Sequence, residues 1–326
     1  MATCHSPPLA RIPPPDVAAW HTAAVRCLAN RTIWMLGDSV SRHWAFAFVE
    51  ILARPHAAFS NSTHAHASSS AAAKARQAEM RTCGAARDPK THGGCAAACA
   101  CTLRVGGDIA VSFGFNWQYA STALEAALVE GDPPTGRPPP DVAVLAGPPM
   151  CAMPARQGAP PRACPLSGVD RPSDAAPRAQ LPVAEGGAAM AAMARRVLMA
   201  RAAASPLHIY WRSTTAPCFD DPRNPTSGEV GEAMAAVERS LCAVPGVKKL
   251  DGYGWTAGRC AFYDDAVHHA RLATAHVATW ISDECGLPLA AQAAAEHATA
   301  RPPACTGDCC KRHPGACRVR HEFLSR

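Results

Sequence analysis

The chain has 326 residues, 16 of them cysteine, and a formal net charge of +6. This length is enough for one large α/β domain or two small ones. The positive charge is spread along the chain without a block of lysine or arginine, which argues against a nucleic-acid partner. No apolar stretch approaches the ~18 residues typical of a transmembrane helix, so we expect no membrane span.

After a Pro-rich lead-in at 1–19, which should be irregular, apolar runs alternate with amphipathic segments. The apolar runs predict five strands, at 32–37, 108–113, 141–147, 207–212 and 247–253. The amphipathic segments predict helices, at 41–53, 121–130, 187–204, 228–244 and 268–283. A long loop rich in histidine, serine, alanine and cysteine separates the first of these helices from the second strand. Proline-rich stretches flank the third strand. They should separate it from the neighbouring elements, because proline continues neither a helix nor a strand ladder.

Strands that alternate with helices predict a mainly parallel sheet with helices on both faces. We therefore expect an α/β fold, a three-layer sandwich with a five-stranded, mainly parallel sheet and long Cys- and Pro-rich loops. One domain over 20–285 should contain these elements, with a Cys-rich extension at 286–326 after it. In such sheets the chemistry gathers at the carboxyl ends of the strands.

The cysteine content indicates either disulfides or metal sites, depending on the compartment. Two glycosylation sequons, Asn30-Arg31-Thr32 and Asn61-Ser62-Thr63, favour the secretory pathway lumen (Golgi) or the extracellular space, and therefore disulfides. The first residues show no signal peptide, since they lack a basic start and an apolar core. Either the start of the chain is missing from this sequence, or the predicted compartment is wrong.

A zinc site is the competing interpretation of the cysteine clusters at 83–101 and 305–321. The candidate ligands in the second cluster are Cys305, Cys309 or Cys310, His313 and Cys317. Neither cluster has paired Cys-x-x-Cys motifs, and an even number of cysteines suits disulfides. We predict disulfides and no bound metal.

A sharp strand-to-helix junction, Gly37-Asp38-Ser39, follows the first predicted strand. Ser39 would lie at the carboxyl end of that strand, a suitable position for a nucleophilic serine. The alternative is structural, because Asp38 or Ser39 would also serve as an ordinary helix cap.

A nucleophilic serine needs a base to take its proton and a carboxylate to orient the base. Asp265 and His268 are three residues apart at the start of the last predicted helix, which puts both side chains on one face. Since this segment follows the fifth strand, it should reach the same edge of the sheet as Ser39. The alternatives are His269 or His276 for the base and Asp264 for the carboxylate.

The Gly37-Asp38-Ser39 motif followed by Arg42, together with Asp265-x-x-His268 before a terminal helix, resembles the GDSL/SGNH hydrolases. Within them the chain is similar to the PC-esterase group, which includes the trichome-birefringence-like polysaccharide O-acetyltransferases and the neurexophilin-and-PC-esterase proteins. The resemblance covers roughly residues 20 to 285. It also includes three sheet segments, at 27–44, 140–147 and 209–218.

The resemblance implies that Ser39 is the nucleophile, His268 the base and Asp265 the residue that orients it. Asp38 would shape the turn and Arg42 would support the site. The oxyanion requires preorganised N–H donors. The candidates for these donors are the backbone N–H of Ser39, Gly114 after the second strand, and Asn116.

The activity implied by the resemblance is ester hydrolysis or acyl transfer, with an acetyl group on a carbohydrate as the expected substrate. The acyl donor would be acetyl-CoA or an acetylated glycan, and no further cofactor is expected. Many members of the family have an asparagine after strand three, where this chain has Ala146-Gly147-Pro148. That difference favours an alternative, a non-catalytic secreted glycan-binding domain with the same fold. A zinc-stabilised intracellular protein is a third hypothesis.

Four tryptophans are candidates to line a sugar cleft, although core packing is the more common role for such residues. They are Trp44, Trp117, Trp211 and Trp255.

Overall fold

The structure is a computed structural model. It describes residues 6–9, 12–62, 101–105, 108–115, 120–132, 137–147, 183–202, 205–217, 227–257, 259 and 270–288.

Within the described residues, six strands form one sheet. In chain order they are β1 (Thr32–Gly37), β2 (Cys101–Val105), β3 (Ile109–Phe115), β4 (Val142–Gly147), β5 (His208–Ser213) and β6 (Val247–Leu250). Their order across the sheet is β2-β3-β1-β4-β5-β6. Five neighbouring strands pair in parallel, in the order β3, β1, β4, β5 and β6. The strand β2 pairs with β3 at the edge of the sheet and is antiparallel to it.

Helices cover both faces of the sheet. One face packs against α1 (Val17–Leu28), α2 (Ser39–Ala53), α3 (Pro55–Ser62) and α8 (Ala270–Cys285). The other packs against α4 (Thr122–Glu130), α5 (Val183–Arg201) and α6 (Ser227–Leu241). The short helix α7 (Gly252–Thr256) follows β6. None of the helices in the described part is both long and apolar enough to cross a membrane.

The inner strand β1 contributes to both hydrophobic cores. Ile33 and Met35 point towards the face that carries α2 and α8, whereas Trp34 and Leu36 point towards the face that carries α4 and α5. All four side chains are buried, which explains why the strand is a continuous apolar run and does not alternate with polar residues. The predicted three-layer α/β sandwich with a mainly parallel sheet is therefore confirmed.

Four elements were not predicted from the sequence: α1, α3, β2 and α7. The helix α1 begins inside the expected lead-in, where the carboxylate of Asp16 accepts a hydrogen bond from the backbone N–H of Ala19 at 2.9 Å. The strand β2 lies in the segment expected to be a loop. It is five residues long and, among the described residues, pairs with β3 alone.

The fifth predicted strand is shorter than expected, because β6 ends at Leu250 and α7 begins two residues later. The Asp251 carboxylate accepts a hydrogen bond from the N–H of Gly254 at 3.0 Å and so caps α7. Gly252 is required at this turn, since a Cβ there would lie 2.4 Å from the carbonyl oxygen of Ser213.

The end of α8 is fastened at the amino end of the sheet. Cys285 forms a disulfide with Cys27 at the end of α1, and the neighbouring Glu284 pairs with His208 at the start of β5. The Tyr210 hydroxyl lies 2.8 Å from Glu284 Oε2 and 2.9 Å from Asp283 Oδ2. Burial, and then these two carboxylates, raise the pKa of Tyr210 far above its usual range, so the hydroxyl stays protonated and available to donate.

The disulfide prediction is met at Cys27 and Cys285, and Cys242 is also disulfide-bonded. The two cysteine clusters at 83–101 and 305–321, by contrast, lie outside the described residues apart from Cys101 in β2.

Candidate active site

The candidate site is built on the turn between β1 and α2. Asp38 is the N-cap of α2, and its Oδ1 atom accepts hydrogen bonds from the backbone N–H groups of Val40 at 3.0 Å and Ser41 at 3.2 Å. Ser39 is the first residue of the helix, and an N–H at this position has no acceptor within its own helix. Asp38 therefore caps α2 and shapes the turn. The described part includes the Ser39 backbone but not its side chain.

Gly37 is required by crowding at the end of β1. A Cβ at this position would lie 2.3 Å from Ser41 Oγ and 2.4 Å from the Cβ of Ala146 on β4. Real Cβ atoms do not approach other heavy atoms this closely, so any larger residue would push α2 away from the sheet. Each residue of the Gly-Asp pair thus has a physical reason to stand before Ser39: the first allows close packing and the second caps the helix.

The turn lies where the chain changes direction across the sheet. The chain passes from β1 through the edge strand β2 to β3 on one side of β1, and then returns past β1 to β4 on the other side. In open parallel sheets this switch point leaves a crevice at the carboxyl ends of the strands, where ligands bind. Ser39 follows the carboxyl end of β1 and is therefore at the switch point.

Arg212, near the carboxyl end of β5, is a charged residue that contacts this turn. Its side chain is 1% exposed, and its Nη2 atom donates to Asp38 Oδ1 at 3.2 Å and to Ser41 Oγ at 2.8 Å. The guanidinium carbon lies 5.3 Å from the centre of the Trp44 ring. Burial lowers the pKa of Arg212, and the Asp38 carboxylate opposes that shift.

Sequence reasoning did not identify Arg212 or Ser41 as site residues. A signal for Arg212 was available, because it is a charge inside the apolar segment 209–213, and such a charge needs a buried partner.

Asp265 and His268 lie outside the described residues, as do the alternatives Asp264 and His269. His276, the third candidate for the base, lies in the middle of α8 and is fully buried. Its ring centre is 5.4 Å from that of Trp44 and 5.0 Å from that of Trp255. His276 therefore packs in the core.

The predicted oxyanion donors have different outcomes. The expectation that Gly114 follows the second strand is wrong, because β3 continues through Phe115 and Gly114 pairs with Leu36 inside the sheet. Strand pairing with β1 extends β3 by these two residues. Asn116, which comes directly after β3, lies outside the described residues. Arg42 is half-buried in the first turn of α2, and its N–H donates to the Asp38 carbonyl at 3.1 Å.

The three candidate tryptophans that the structure describes do not form an open cleft. Trp44, Trp211 and Trp255 are buried, so they contribute to the core, as expected for most of them. Trp117 lies outside the described residues. Among the described residues there is also no group of three or more histidine, cysteine, aspartate or glutamate side chains that could hold a metal ion. The four zinc ligands considered from the sequence, which belong to the 305–321 cluster, are not part of the described chain.

Comparison with models of known protein families found no match, and searches of curated proteins and of solved structures found none either.

The Asp38→Ala substitution removes both a helix cap and the partner of a buried charge. A lost cap costs about 1 kcal/mol, whereas a buried charge left unpaired costs about 3–5 kcal/mol. Asp16→Ala is the matched control, because Asp16 caps α1 at an exposed position. We expect Asp38→Ala to lower the free energy of unfolding, measured by urea denaturation, by several times as much as Asp16→Ala.

The double variant Asp38→Ala/Arg212→Met, together with the two single variants, completes a double-mutant cycle. It should be less destabilised than the sum of the two single variants, since neither charge is then left alone. Equal losses for Asp38→Ala and Asp16→Ala, with additive effects in the double variant, would contradict the pairing of Asp38 with Arg212.

Proposed function

We propose that the protein is a serine-dependent acyl esterase or O-acyltransferase that acts on acetyl groups of a glycan. The observation that carries the proposal is the position of the Gly37-Asp38-Ser39 turn, at the carboxyl end of an inner parallel strand and at the switch point of the sheet. Asp38 Oδ1 binds the N–H groups of Val40 and Ser41, and the Ser39 N–H is not among those it accepts. That N–H is therefore a suitable donor to an oxyanion.

In this mechanism the Ser39 hydroxyl attacks the acyl carbonyl carbon. A bond forms between Oγ and that carbon, and His268 takes the hydroxyl proton. The negative charge that develops on the carbonyl oxygen is stabilised by the Ser39 N–H and a second donor, for which Asn116 is the candidate. The bond to the leaving oxygen or sulfur breaks, and His268 returns the proton to that atom, leaving an acyl-enzyme.

The second half of the reaction decides between the two activities. If water attacks the acyl-enzyme, the protein is an esterase; if a sugar hydroxyl attacks, it is a transferase. In either case the attacking oxygen bonds to the acyl carbon while His268 removes its proton, the bond between that carbon and Ser39 Oγ breaks, and His268 returns the proton to Oγ. Asp265 orients the imidazole in both steps. An acetylated glycan or acetyl-CoA would serve as the donor, and the choice of acetyl and of carbohydrate is supported by the family resemblance.

The orientation of α8 supports the assignment of the base. Its last residues contact the start of β5 and the end of α1, at the amino end of the sheet. A helix of 16 residues is about 24 Å long, so its first residue, Ala270, lies towards the carboxyl ends of the strands. His268 is two residues before Ala270 in the chain, a separation that spans at most about 7 Å.

The compartment we propose is the secretory pathway lumen or the extracellular space. The disulfide between Cys27 and Cys285 is typical of oxidising compartments. The sequon residue Asn30 also supports this compartment, because it is exposed in the turn between α1 and β1, where its φ is +62°. An oligosaccharide attached there would extend into solvent.

A fluorophosphonate probe tests the activated serine. The folded protein, expressed in the secretory pathway, should be labelled, and both Ser39→Ala and His268→Ala should abolish labelling. Ser121→Ala is the matched serine control, because Ser121 also stands at the start of a helix, where it caps α4. His208→Ala is the histidine control at the opposite end of the sheet.

Both controls should be labelled like the parent. A parent that is folded but not labelled would contradict the catalytic proposal and favour the non-catalytic glycan-binding domain. Labelling that persists in Ser39→Ala would assign the nucleophile to another residue.

Peptide N-glycosidase treatment tests the compartment. The protein secreted from eukaryotic cells should carry a glycan on Asn30, and Asn30→Asp should remove it while retaining a residue that tolerates a positive φ. Thr32→Ser keeps the sequon and is the control. The absence of a glycan at Asn30 in the secreted parent, shown by mass spectrometry, would count against this use of the sequon.

A further inference from the structure

The charged guanidinium of Arg212 is buried, and burial of a charge costs hydration free energy. A guanidinium taken out of water loses several kcal/mol of hydration unless it is paired and hydrogen-bonded. Its Nη2 atom has two partners, Asp38 Oδ1 and Ser41 Oγ, and its Nη1 atom lies 3.4 Å from the Ser213 carbonyl oxygen. Its Nε atom is buried without a hydrogen-bond partner. The residue is therefore incompletely satisfied, and its strongest contacts are those to the turn.

The sheet leaves a path for this side chain. Leu36 pairs with Leu145 and Ala146 pairs with Arg212, so Gly37, Ala146 and Arg212 form one row across three neighbouring strands. Gly37 and Ala146 are small, so they leave room for the long side chain of Arg212 to pass over them. Because two strand spacings amount to about 10 Å, a long side chain on β5 can reach a turn that belongs to β1.

The two side chains that Arg212 binds stand on either side of Ser39. Asp38 precedes Ser39 by one residue and Ser41 follows it by two. Trp44, one helical turn beyond Ser41, lies over the guanidinium, and its stacked partner Trp255 belongs to α7. One nitrogen atom of β5 therefore holds both ends of the turn against the sheet.

We propose that Arg212 is a positioning residue for the Ser39 nucleophile. It fixes the height and direction of the β1–α2 turn over the sheet through Asp38 and Ser41, and so aims the Ser39 hydroxyl and N–H at the acyl group. Arg212 itself does not touch the substrate. This inference rests on the proposed function, because it assigns Arg212 a role in the same acyl-transfer site.

A purely structural role makes a different prediction. If Arg212 only stabilised the fold, its loss would lower stability and leave the chemistry of the folded molecules unchanged. Arg201 provides the comparison, since it is a second buried arginine, and it donates to the carbonyl oxygens of Leu128 at 2.9 Å and Ser205 at 3.1 Å. These contacts are at the ends of α4 and α5, away from the Asp38 turn.

The test is the kinetics of fluorophosphonate labelling in the folded parent, Arg212→Met, Arg201→Met and Ser41→Ala. For each protein, the maximum labelling rate constant and the probe concentration at half-maximum are measured separately. Misplacement of a reacting group by about 1 Å costs about a hundredfold in rate. We expect Arg212→Met to lose about that factor in the maximum rate constant, with the half-maximal concentration unchanged. Arg201→Met should keep both parental values.

Ser41→Ala removes one of the two contacts and keeps the buried ion pair. It should show a smaller loss in the maximum rate constant, and it decides the question if Arg212→Met does not fold. A parental rate constant in Ser41→Ala, or equal effects of Arg212→Met and Arg201→Met, would overturn the positioning role while leaving the Ser39 mechanism in place. A folded parent that does not label would overturn the proposed function, and with it this role.

Discussion

The carboxyl end of the sheet depends on the contact between Asp38 and Arg212. One carboxylate oxygen, Asp38 Oδ1, accepts two backbone N–H groups of α2 and one N–H of the Arg212 guanidinium. A helix start, the end of β1 and the end of β5 are therefore joined at a single atom. Removing either the Asp38 carboxylate or the Arg212 guanidinium would leave the other charge buried and unpaired. Each group therefore depends on the other for its stability in the fold.

This contact gives the proposed site a rigid base. Binding and catalytic groups need to be held by side chains that are themselves fixed, and Ser39 stands between two residues fixed by the same arginine. The helix α8, which follows the proposed base His268 in the chain, is held at its last residues by the Cys27–Cys285 disulfide and by the carboxylates that contact Tyr210. The Ser39 turn is thus held at the carboxyl end of the sheet, whereas α8, which follows Asp265 and His268 in the chain, is held at the amino end.

Much of the fold could be predicted from local sequence, because β1 and β4 are short runs of buried apolar residues between clear breaks. The cap at Asp38 could be predicted as well, since Asp is a favoured residue before a helix. The edge strand β2 was missed although its apolar and polar residues alternate, because it is only five residues long and follows a segment rich in cysteine, alanine and glycine. Arg212 was missed for a different reason: its partner is 174 residues away, and only the strand order brings the two together.

The central claim, that Ser39 forms an acyl-enzyme, is tested most directly by trapping that intermediate. The folded protein is mixed with p-nitrophenyl acetate, quenched with acid and mapped by tandem mass spectrometry. The account predicts one acetyl group on the Ser39 hydroxyl, present in the folded protein and absent when the protein is first unfolded in urea. No acetyl group on Ser39, or equal acetylation before and after unfolding, would contradict it.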